Sequence, residues 1–424
     1  MKIRIEGPQR VEGSLEAPTS KAYTHRVLVV SLLTRGTSTI EKPLFCDDTQ
    51  RTLEAVQALG AIVSGDSKRL KLEGRTTTAP REARVDCGES GATLRFLAAV
   101  AAAFPSSTTL TAKGSLSRRP LLPLAEALQD LGARISVHQE KQFLEVKVQG
   151  PLRGGSASIP GNVSSQFISG LLLAAPLAMR DVNLEVTGGL ESRPYVEMTL
   201  EVMRIHGIRA ETSPNGFRIP APQPYQPASH RAPADFSSAA FLLAAGVTAG
   251  GELTLSGIQA SSLEPDSLML ELLPKIGASL KRSADQVHVC KSELEAFEFD
   301  ASDHPDLVPA LEVLACQAKG RSEIRGLGRL AYKESDRLRT VPEELGKMGA
   351  KISIKDETVV ITGPQHLSGG ELSSHHDHRV AMACATASLT AVGTTLIGEA
   401  EAVSKSYPEF YNDLGKLGVG IHVE

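Results

Sequence analysis

The stretch Lys333-Glu334-Ser335-Asp336-Arg337 is a run of five polar residues, four of them charged, that leads toward Gly349. Apolar residues follow it at spacings of three and four: Leu338, Val341, Leu345 and Met348. This spacing predicts a helix, and glycine is the residue that most often ends one in the left-handed conformation. We expect this pentad to form the helix start, capped by Ser335 or Asp336, where free N–H groups and the helix dipole attract anions.

The same pattern of polar cluster, helix and glycine occurs six times. The glycines are 69 to 75 residues apart, at Gly60, Gly132, Gly207, Gly277, Gly349 and Gly418. Each repeat also contains a second helix, rich in alanine and leucine, that opens with polar residues. Glycine-ended helices at a fixed period are the signature of a repeated structural unit. Each unit reads as strand, helix, strand, helix, strand, strand.

The second helix of each unit is apolar on nearly every face, as in Gly170-Leu171-Leu172-Leu173-Ala174-Ala175. A helix without a polar face is typical of the interior of a protein. The predicted fold class is therefore α/β: a two-domain inside-out α/β barrel of six βαβαββ units, with helices buried and sheets outside.

A proline-rich segment, Pro220–Pro233, separates units one to three from units four to six. We place a domain crossing there. The expected domains are residues 19–232, and residues 1–18 together with 233–424. Helix starts gathered at one end of each domain would create two positive faces, and we expect a cleft between the domains to hold a strongly anionic ligand.

The composition and motifs of the chain argue against nucleic-acid binding, membrane insertion and a metal site. The formal net charge of −4 argues against a nucleic-acid surface, and no segment is typical of a targeting signal or a membrane span. Five scattered cysteines favour a reducing, cytoplasmic location. The run His375-His376-Asp377-His378 invites a metal site, but adjacent ligands fit poorly and Arg379 would oppose a cation. We expect no metal, no cofactor, no membrane or nucleic-acid partner, and a monomer.

With these clusters in view, the chain resembles the 5-enolpyruvylshikimate-3-phosphate (EPSP) synthases of the enolpyruvyl transferase family. Besides the pentad, the matching motifs run in order along the whole chain: Pro18-Thr19-Ser20-Lys21, Ser164-Ser165-Gln166, Ser192-Arg193-Pro194-Tyr195, Asp377-His378-Arg379 and Lys405-Ser406-Tyr407-Pro408. The resemblance implies transfer of the enolpyruvyl group of phosphoenolpyruvate to the 5-hydroxyl of shikimate 3-phosphate. Phosphate leaves through a tetrahedral intermediate, in the shikimate pathway of aromatic amino acid biosynthesis.

The resemblance also implies which residues bind the two substrates. Those for shikimate 3-phosphate are Lys21, Arg26, Ser164, Ser165, Gln166, Ser192, Tyr195, Asp306 and Lys333. Those for phosphoenolpyruvate are Lys21, Gly91, Arg119, Gln166, Arg337, Arg379 and Lys405. Hydroxyls and an ammonium group suit a phosphate that is held without being activated, whereas guanidinium groups pair two oxygens at once. The domains are expected to close when shikimate 3-phosphate binds.

Four residues are implied to be catalytic. Asp306 would take the proton of the 5-hydroxyl, and Glu334 would exchange a proton with the methylene carbon, with Lys21 near the bridging oxygen. His378 is the fourth of these residues. Two structural alternatives stay open at this point. Asp306 is also suited to capping a helix, and the stems of Lys21 and Arg26 are also suited to covering an apolar helix end.

Three residues complicate the resemblance. Ala22 stands where the family commonly has a serine, which removes a hydroxyl from the expected shikimate-carboxylate site and leaves more of that contact to Arg26. Ala92 stands where the family commonly has a threonine, which puts sensitivity to the herbicide glyphosate in doubt. Pro342 lies inside the helix that follows the pentad, where it lacks the N–H for Leu338 and predicts a kink.

Two other functions are alternatives for this chain. The first is the related UDP-N-acetylglucosamine enolpyruvyl transferase, whose usual loop cysteine would fall near Lys113–Arg119, where none is present. The second is a non-catalytic six-unit clamp or ring. The six polar clusters are chemically unequal, which a ring of that kind does not require.

Overall fold

The computed structural model describes residues 1–74, 82–259 and 264–424. The α-helices of these residues are α1 (Lys21–Leu33), α2 (Asp47–Ala58), α3 (Gly91–Ala102), α4 (Leu122–Asp130), α5 (Ser165–Ala174), α6 (Arg193–Ile205), α7 (Phe236–Thr248), α8 (Met269–Lys275), α9 (Val308–Gln317), α10 (Arg337–Lys347), α11 (His378–Ser388) and α12 (Phe410–Lys416).

The strands of the first half are β1 (Ile3–Gly7), β2 (Gly13–Glu16), β3 (Thr37–Glu41), β4 (Ile62–Gly65), β5 (Arg69–Glu73), β6 (Glu82–Asp86), β7 (Ser107–Lys113), β8 (Arg134–Gln139), β9 (Phe143–Gln149), β10 (Gly155–Pro160), β11 (Val182–Thr187), β12 (Glu211–Ser213), β13 (Gly216–Ile219) and β14 (Ser229–Arg231). Those of the second half are β15 (Glu252–Ser256), β16 (Ser279–Arg282), β17 (Gln286–Cys290), β18 (Leu294–Glu295), β19 (Glu298–Asp300), β20 (Ala318–Arg325), β21 (Ile352–Lys355), β22 (Thr358–Gly363), β23 (Glu371–Ser373), β24 (Gly393–Gly398) and β25 (Ile421–Val423).

The predicted βαβαββ repeat is confirmed by the sheet topology. In one sheet, of order β6-β7-β9-β8, β6 is parallel to β7 and the antiparallel hairpin β8–β9 completes the sheet. Helix α3 connects the two parallel strands, and α4 leads into the hairpin. The sheets β10-β11-β13-β12, β18-β20-β22-β21 and β23-β24-β1-β25 have the corresponding order, with β19 as an additional partner of β20.

Two sheets exchange their first strands. Strand β14, which precedes α7 in the sequence, is parallel to β3, whereas β2, which precedes α1, is parallel to β15. The chain accordingly forms two compact units: Ser20–Ala232, and Met1–Thr19 together with Pro233–Glu424. We call these two compact parts of the chain, as distinct from the six βαβαββ repeats, the first unit and the second unit. The exchange of strands therefore explains why the N-terminal segment packs with the C-terminal half of the sequence.

Each unit has three helices at its centre: α1, α3 and α5 in the first, and α7, α9 and α11 in the second. Every residue of α7 and α11 is buried, as expected from their alanine- and leucine-rich sequences. The expectation of buried helices and outer sheets is thereby confirmed. No helix in the described parts of the chain has the length and apolar character needed to span a membrane.

The glycine after each outer helix has the conformation predicted from the sequence. The six glycines that follow α2, α4, α6, α8, α10 and α12 have φ angles between 81° and 104°. A side chain is strained in this region, so glycine ends each helix and turns the chain into the hairpin. These six glycines therefore mark the period of the βαβαββ repeat.

One buried carboxyl group in the second unit has no counter-charge. Glu312 in α9 is 0% exposed, and the described residues offer neither of its carboxyl oxygens a hydrogen-bond partner. Burial raises the pKa of Glu312 well above its usual range. The side chain is therefore held in its neutral form, at a cost in stability.

Candidate active site

Polar residues cap the buried helices of the first unit. The side chains of Ser20, Ser90 and Ser164 accept hydrogen bonds from the backbone N–H groups of Tyr23, Thr93 and Gln166 at the starts of α1, α3 and α5. These caps leave other N–H groups of each first turn facing outward. The predicted binding residues of this half lie around these helix starts.

Lys21 is the first residue of α1 and forms an ion pair with Asp48. Its Nζ lies 2.9 Å from the Asp48 Oδ2, and both side chains are less than one-fifth exposed. Asp48 lies in the first turn of α2, within a polar cluster of the repeat that had no functional assignment. The pair holds the ammonium group in one position, so the first of the four residues predicted to be catalytic has a fixed geometry.

Arg26 lies one turn further along α1 and is almost fully buried. Its Nη2 donates to the Tyr195 backbone oxygen at 2.8 Å, its Nε to Thr199 Oγ1 at 2.7 Å, and its Nη1 to the Ala22 backbone oxygen at 2.8 Å. The guanidinium group therefore joins α1 to the start of α6. The structure brings Arg26 and the Tyr195 backbone together, and the Arg26 guanidinium group does more than cover a helix end.

Gly91, Arg119 and Gln166 meet at the starts of α3 and α5. A Cβ atom on Gly91 would lie 3.3 Å from an Nη of Arg119 and 3.6 Å from Gln166 Oε1. A second arginine, Arg95, donates from Nη1 to Gln166 Oε1 at 2.6 Å and stacks on Phe167. The absence of a side chain at Gly91 thus lets two guanidinium groups and one amide converge.

The serines predicted for the phosphate have different local roles. Ser164 caps α5 and Ser165 is its first residue, whereas Ser192 precedes α6 with φ 51°, in the left-handed region, and is 2% exposed. A non-glycine residue in this conformation is uncommon and is often found at functional sites. Ser192 and Tyr195 are brought to one helix start by this turn.

The second unit is organised around Arg337, the first residue of α10. Its guanidinium group is 1% exposed and contacts three carboxylates: Asp377 at 2.8 Å, Asp306 at 2.8 Å and Glu334 at 2.5 Å. The carboxylates Asp377, Glu334 and Asp306 outweigh the burial of Arg337 and raise its pKa. The three acids come from separate parts of the sequence, so only the folded chain assembles this cluster.

Asp306 lies between several cations. Its Oδ1 accepts from Lys333 Nζ at 3.1 Å and from Arg337 Nη1 at 2.8 Å. Burial by itself would raise the pKa of Asp306, but the charges of Lys333, Arg379 and Arg337 hold that pKa well below its usual range. Burial is also the main reason that the pKa of Lys333 is lowered. Asp306 is therefore an ionised acceptor.

Helix α11 places the remaining predicted residues. Asp377 caps it by accepting from the Arg379 backbone N–H at 2.9 Å, and His378 Nδ1 lies 3.8 Å from the Asp377 carboxylate. Arg379 is 3% exposed, and its Nε and Nη1 have no hydrogen-bond partner among the described residues. Lys405 donates to the His376 backbone oxygen at 3.0 Å. Buried donors without a partner are costly, which makes Arg379 an anion-binding candidate.

One local expectation about the second unit is wrong. Ser335 does not cap α10; it donates instead to Asp377 Oδ2 at 3.0 Å, and Asp336 at the cap position makes no side-chain cap bond. Pro342 lies inside α10, which continues past it to Lys347. The alternative in which Asp306 caps a helix is not met, because α9 begins at Val308 after Leu307. Ser335 and Asp306 instead bond residues that are distant in sequence.

Sequence reasoning missed three residues that hold the site together: Asp48, Arg95 and Asp377. Asp377 stood inside a quoted motif and Asp48 did not, but for both the role as a counter-ion depends on a partner 40 or 27 residues away. Arg95 had a detectable signal, since it is a charged residue in the otherwise apolar helix α3. A charge on a buried helix needs a partner, and Gln166 supplies it.

The carboxylates of Glu334 and Asp377 are already paired with the Arg337 cation. Glu334, Asp377 and His378 bring potential metal-ligand atoms within 4.8 Å of one another. The Arg337 guanidinium group, however, donates to both carboxylates. A divalent ion would have to displace this buried charge, so the cluster fits a permanent arginine better than a metal.

Repeated βαβαββ units with charged residues gathered at buried helix starts define a class of protein suited to binding small anionic ligands. A model of the family described as EPSP synthase (3-phosphoshikimate 1-carboxyvinyltransferase) matches residues 5–414. The chain belongs to the EPSP synthase family.

Relatives and solved structures agree with this assignment over the full length. The chain is 38% identical to the 3-phosphoshikimate 1-carboxyvinyltransferase of Methanocorpusculum labreanum, with 100% of both chains covered. It is 39% identical to that of Methanocella arvoryzae, covering 97% of this chain and 98% of the relative. A solved EPSP synthase from Acinetobacter baumannii superimposes with a TM-score of 0.84 at 25% identity, covering 100% and 99% of the two chains.

Proposed function

We propose that this protein is an enolpyruvyl transferase that joins phosphoenolpyruvate to the 5-hydroxyl of shikimate 3-phosphate and releases phosphate. The observation that carries the proposal is the charged cluster around Arg337, found in a chain that matches the EPSP synthase family over residues 5–414. Both substrates carry a phosphate and a carboxylate. The proposed arginine and lysine side chains can form ion pairs with these anionic groups.

Each substrate has a proposed set of contacts. Shikimate 3-phosphate binds through Arg26 and Tyr195 at its carboxylate, and through the two adjacent serines Ser164 and Ser165, with Ser192 and Lys333, at its phosphate. Phosphoenolpyruvate binds through the guanidinium groups of Arg119, Arg337 and Arg379 and the ammonium group of Lys405. The buried Nε and Nη1 of Arg379 then gain the partners that the described chain does not provide.

Asp306 and Glu334 divide the proton transfers. Asp306 accepts the proton of the 5-hydroxyl as that oxygen bonds to the substituted carbon of phosphoenolpyruvate, while Glu334 delivers a proton to the methylene carbon. The methyl group then returns one proton to Glu334 as the bond to phosphate breaks. The low pKa of Asp306 reflects its neighbouring cations, so bound anions that neutralise Lys333, Arg337 and Arg379 raise that pKa and make Asp306 a better base.

One assay tests the proposed function. The purified protein is mixed with phosphoenolpyruvate and either shikimate 3-phosphate or UDP-N-acetylglucosamine, and released phosphate is measured. We expect release only with shikimate 3-phosphate. Release only with the sugar nucleotide would assign the protein to the other enolpyruvyl transferase, and no release with either would refute the proposal.

A further inference from the structure

The segment from Ser373, the last residue of β23, to Asp377, which precedes α11, has an unusual backbone; we call it the loop. His375 and His376 are consecutive residues with φ angles of 52° and 55°. Residues other than glycine seldom adopt this left-handed region, and two in a row need support from their surroundings. Internal bonds supply part of that support, since Ser373 Oγ and Ser374 Oγ accept from the His375 and His376 backbone N–H groups at 3.0 and 3.2 Å.

Glu344 supports the same loop from α10. Its side chain is 0% exposed, and its Oε1 lies 2.7 Å from His375 Nε2 and 2.8 Å from Lys347 Nζ. Its Oε2 accepts from the Ser373 backbone N–H at 2.9 Å. Both oxygens of this buried carboxylate have partners, and two of its three bonds go to the loop.

Helix α10 therefore holds the loop at both ends. Arg337 and Glu344 are seven residues apart, about two turns, and so project from the same face of the helix. Arg337 holds Asp377 at the end of the loop, while Glu344 holds Ser373 and His375 at its beginning. On the other side, the Glu399 carboxylate accepts from Ser373 Oγ at 2.8 Å. The loop is thus fixed between two acidic residues.

The supported loop carries groups of the proposed phosphoenolpyruvate site. The His376 backbone oxygen accepts from Lys405 Nζ, and the Asp377 carboxylate both holds Arg337 and caps the helix that begins with His378 and Arg379. A shift of the loop would therefore move two cations of that site together. The shikimate 3-phosphate contacts proposed in the first unit have no part in this loop, and Lys333, the contact proposed in the second unit, donates to Asp306 rather than to the loop.

We propose that Glu344 is a positioning residue for phosphoenolpyruvate: through His375 and Ser373 it fixes the left-handed loop that aims Lys405 and Arg337. This role rests on the proposed function, since it specifies how one substrate site of that reaction is held. Glu344 itself touches no reacting atom. Its removal is expected to affect one substrate selectively.

The test compares Glu344→Gln, His375→Gln and the double variant with Glu343→Gln as the matched control. Glu343 is the exposed neighbouring residue, and its carboxylate lies within 4.8 Å of Glu344 and His375. Its variant removes the same charge without breaking a hydrogen bond of the loop among the described residues. KM is measured for each substrate at saturating concentration of the other, and hydrogen exchange is measured for residues 373–379. Thermal unfolding of each variant reports any general loss of stability.

We expect Glu344→Gln and His375→Gln to raise the KM for phosphoenolpyruvate about tenfold or more, because small misplacements of substrate-binding groups have large kinetic effects. The KM for shikimate 3-phosphate should stay within about twofold of the wild-type value, and exchange in the loop should become faster. The double variant should be no worse than either single variant, since both break one interaction. Glu343→Gln should resemble the wild type.

An unchanged KM for phosphoenolpyruvate in Glu344→Gln, or an equal rise for both substrates, would overturn the positioning role. A lower unfolding temperature with both KM values unchanged would also overturn it, because it would reduce Glu344 to a stabilising residue. If the wild-type protein shows no turnover, the proposed function fails. The exchange comparison between Glu344→Gln and Glu343→Gln then decides whether Glu344 fixes the loop.

Discussion

Replacing Glu312 is expected to stabilise the protein, and increasingly so as pH rises. Glu312 is fully buried in α9, and its carboxyl oxygens have no hydrogen-bond partner in the described parts of the chain. Its pKa is raised by burial, so the folded state keeps the proton that the unfolded state loses above about pH 4.3. The free energy of unfolding therefore falls as pH rises from that value to the raised pKa of the folded protein.

The size of the stability gain follows from the linkage between the protonation of Glu312 and folding. Each pH unit within this window lowers the stability of the wild type by about 1.4 kcal/mol relative to a variant that does not titrate. Glu312→Gln keeps the shape and a polar group, so its gain should be close to this titration term. Glu312→Leu also removes the cost of an unsatisfied buried carboxyl, about 1–3 kcal/mol, at every pH. For a unit of about 200 residues, 1 kcal/mol corresponds to roughly 2–4 °C in unfolding temperature.

The assay is calorimetric unfolding of the wild type, Glu312→Gln and Glu312→Leu at pH 5, 6, 7 and 8. Within the pH range below the raised pKa of the folded protein, the unfolding temperature of Glu312→Gln should rise relative to the wild type by about 3 to 6 °C per pH unit. Glu343→Gln, with an exposed carboxylate, serves as the control and should show no such trend. A difference between Glu312→Gln and the wild type that does not change with pH would refute the argument that Glu312 is held neutral.

Three further predictions concern the proposed site. Glu334→Gln should lower kcat by about 10² or more, with unchanged affinity for shikimate 3-phosphate by calorimetry; unaltered turnover would remove Glu334 from proton transfer. Arg95→Met should release the Gln166 amide and raise the KM for phosphoenolpyruvate, whereas normal kinetics would show that the 2.6 Å bond has no role in binding. Ala22→Ser should tighten shikimate 3-phosphate binding, because it adds a hydroxyl beside Arg26; weaker binding would contradict the proposed carboxylate site.

Much of the fold could be predicted because its signals are local. The glycines after the outer helices depend on one φ angle each, and the buried helices depend on the composition of about a dozen consecutive residues. Details that depend on distant partners could not be predicted. Ser335 was expected to cap a helix but bonds Asp377, which lies 42 residues further along the chain. The exchange of β2 and β14 between sheets was likewise invisible, since strands of three or four residues carry little pattern.

The sequence alone determined the six-unit repeat, the buried helices and the set of charged residues around helix starts. Each of these follows from backbone preference and side-chain polarity within a short window. Only the tertiary structure decided how the charges are paired: Lys21 with Asp48, and Arg337 with Asp306 and Asp377 from two other segments. Ion pairing depends on distances of a few ångströms between residues far apart in sequence, and those distances exist only after the helices have packed.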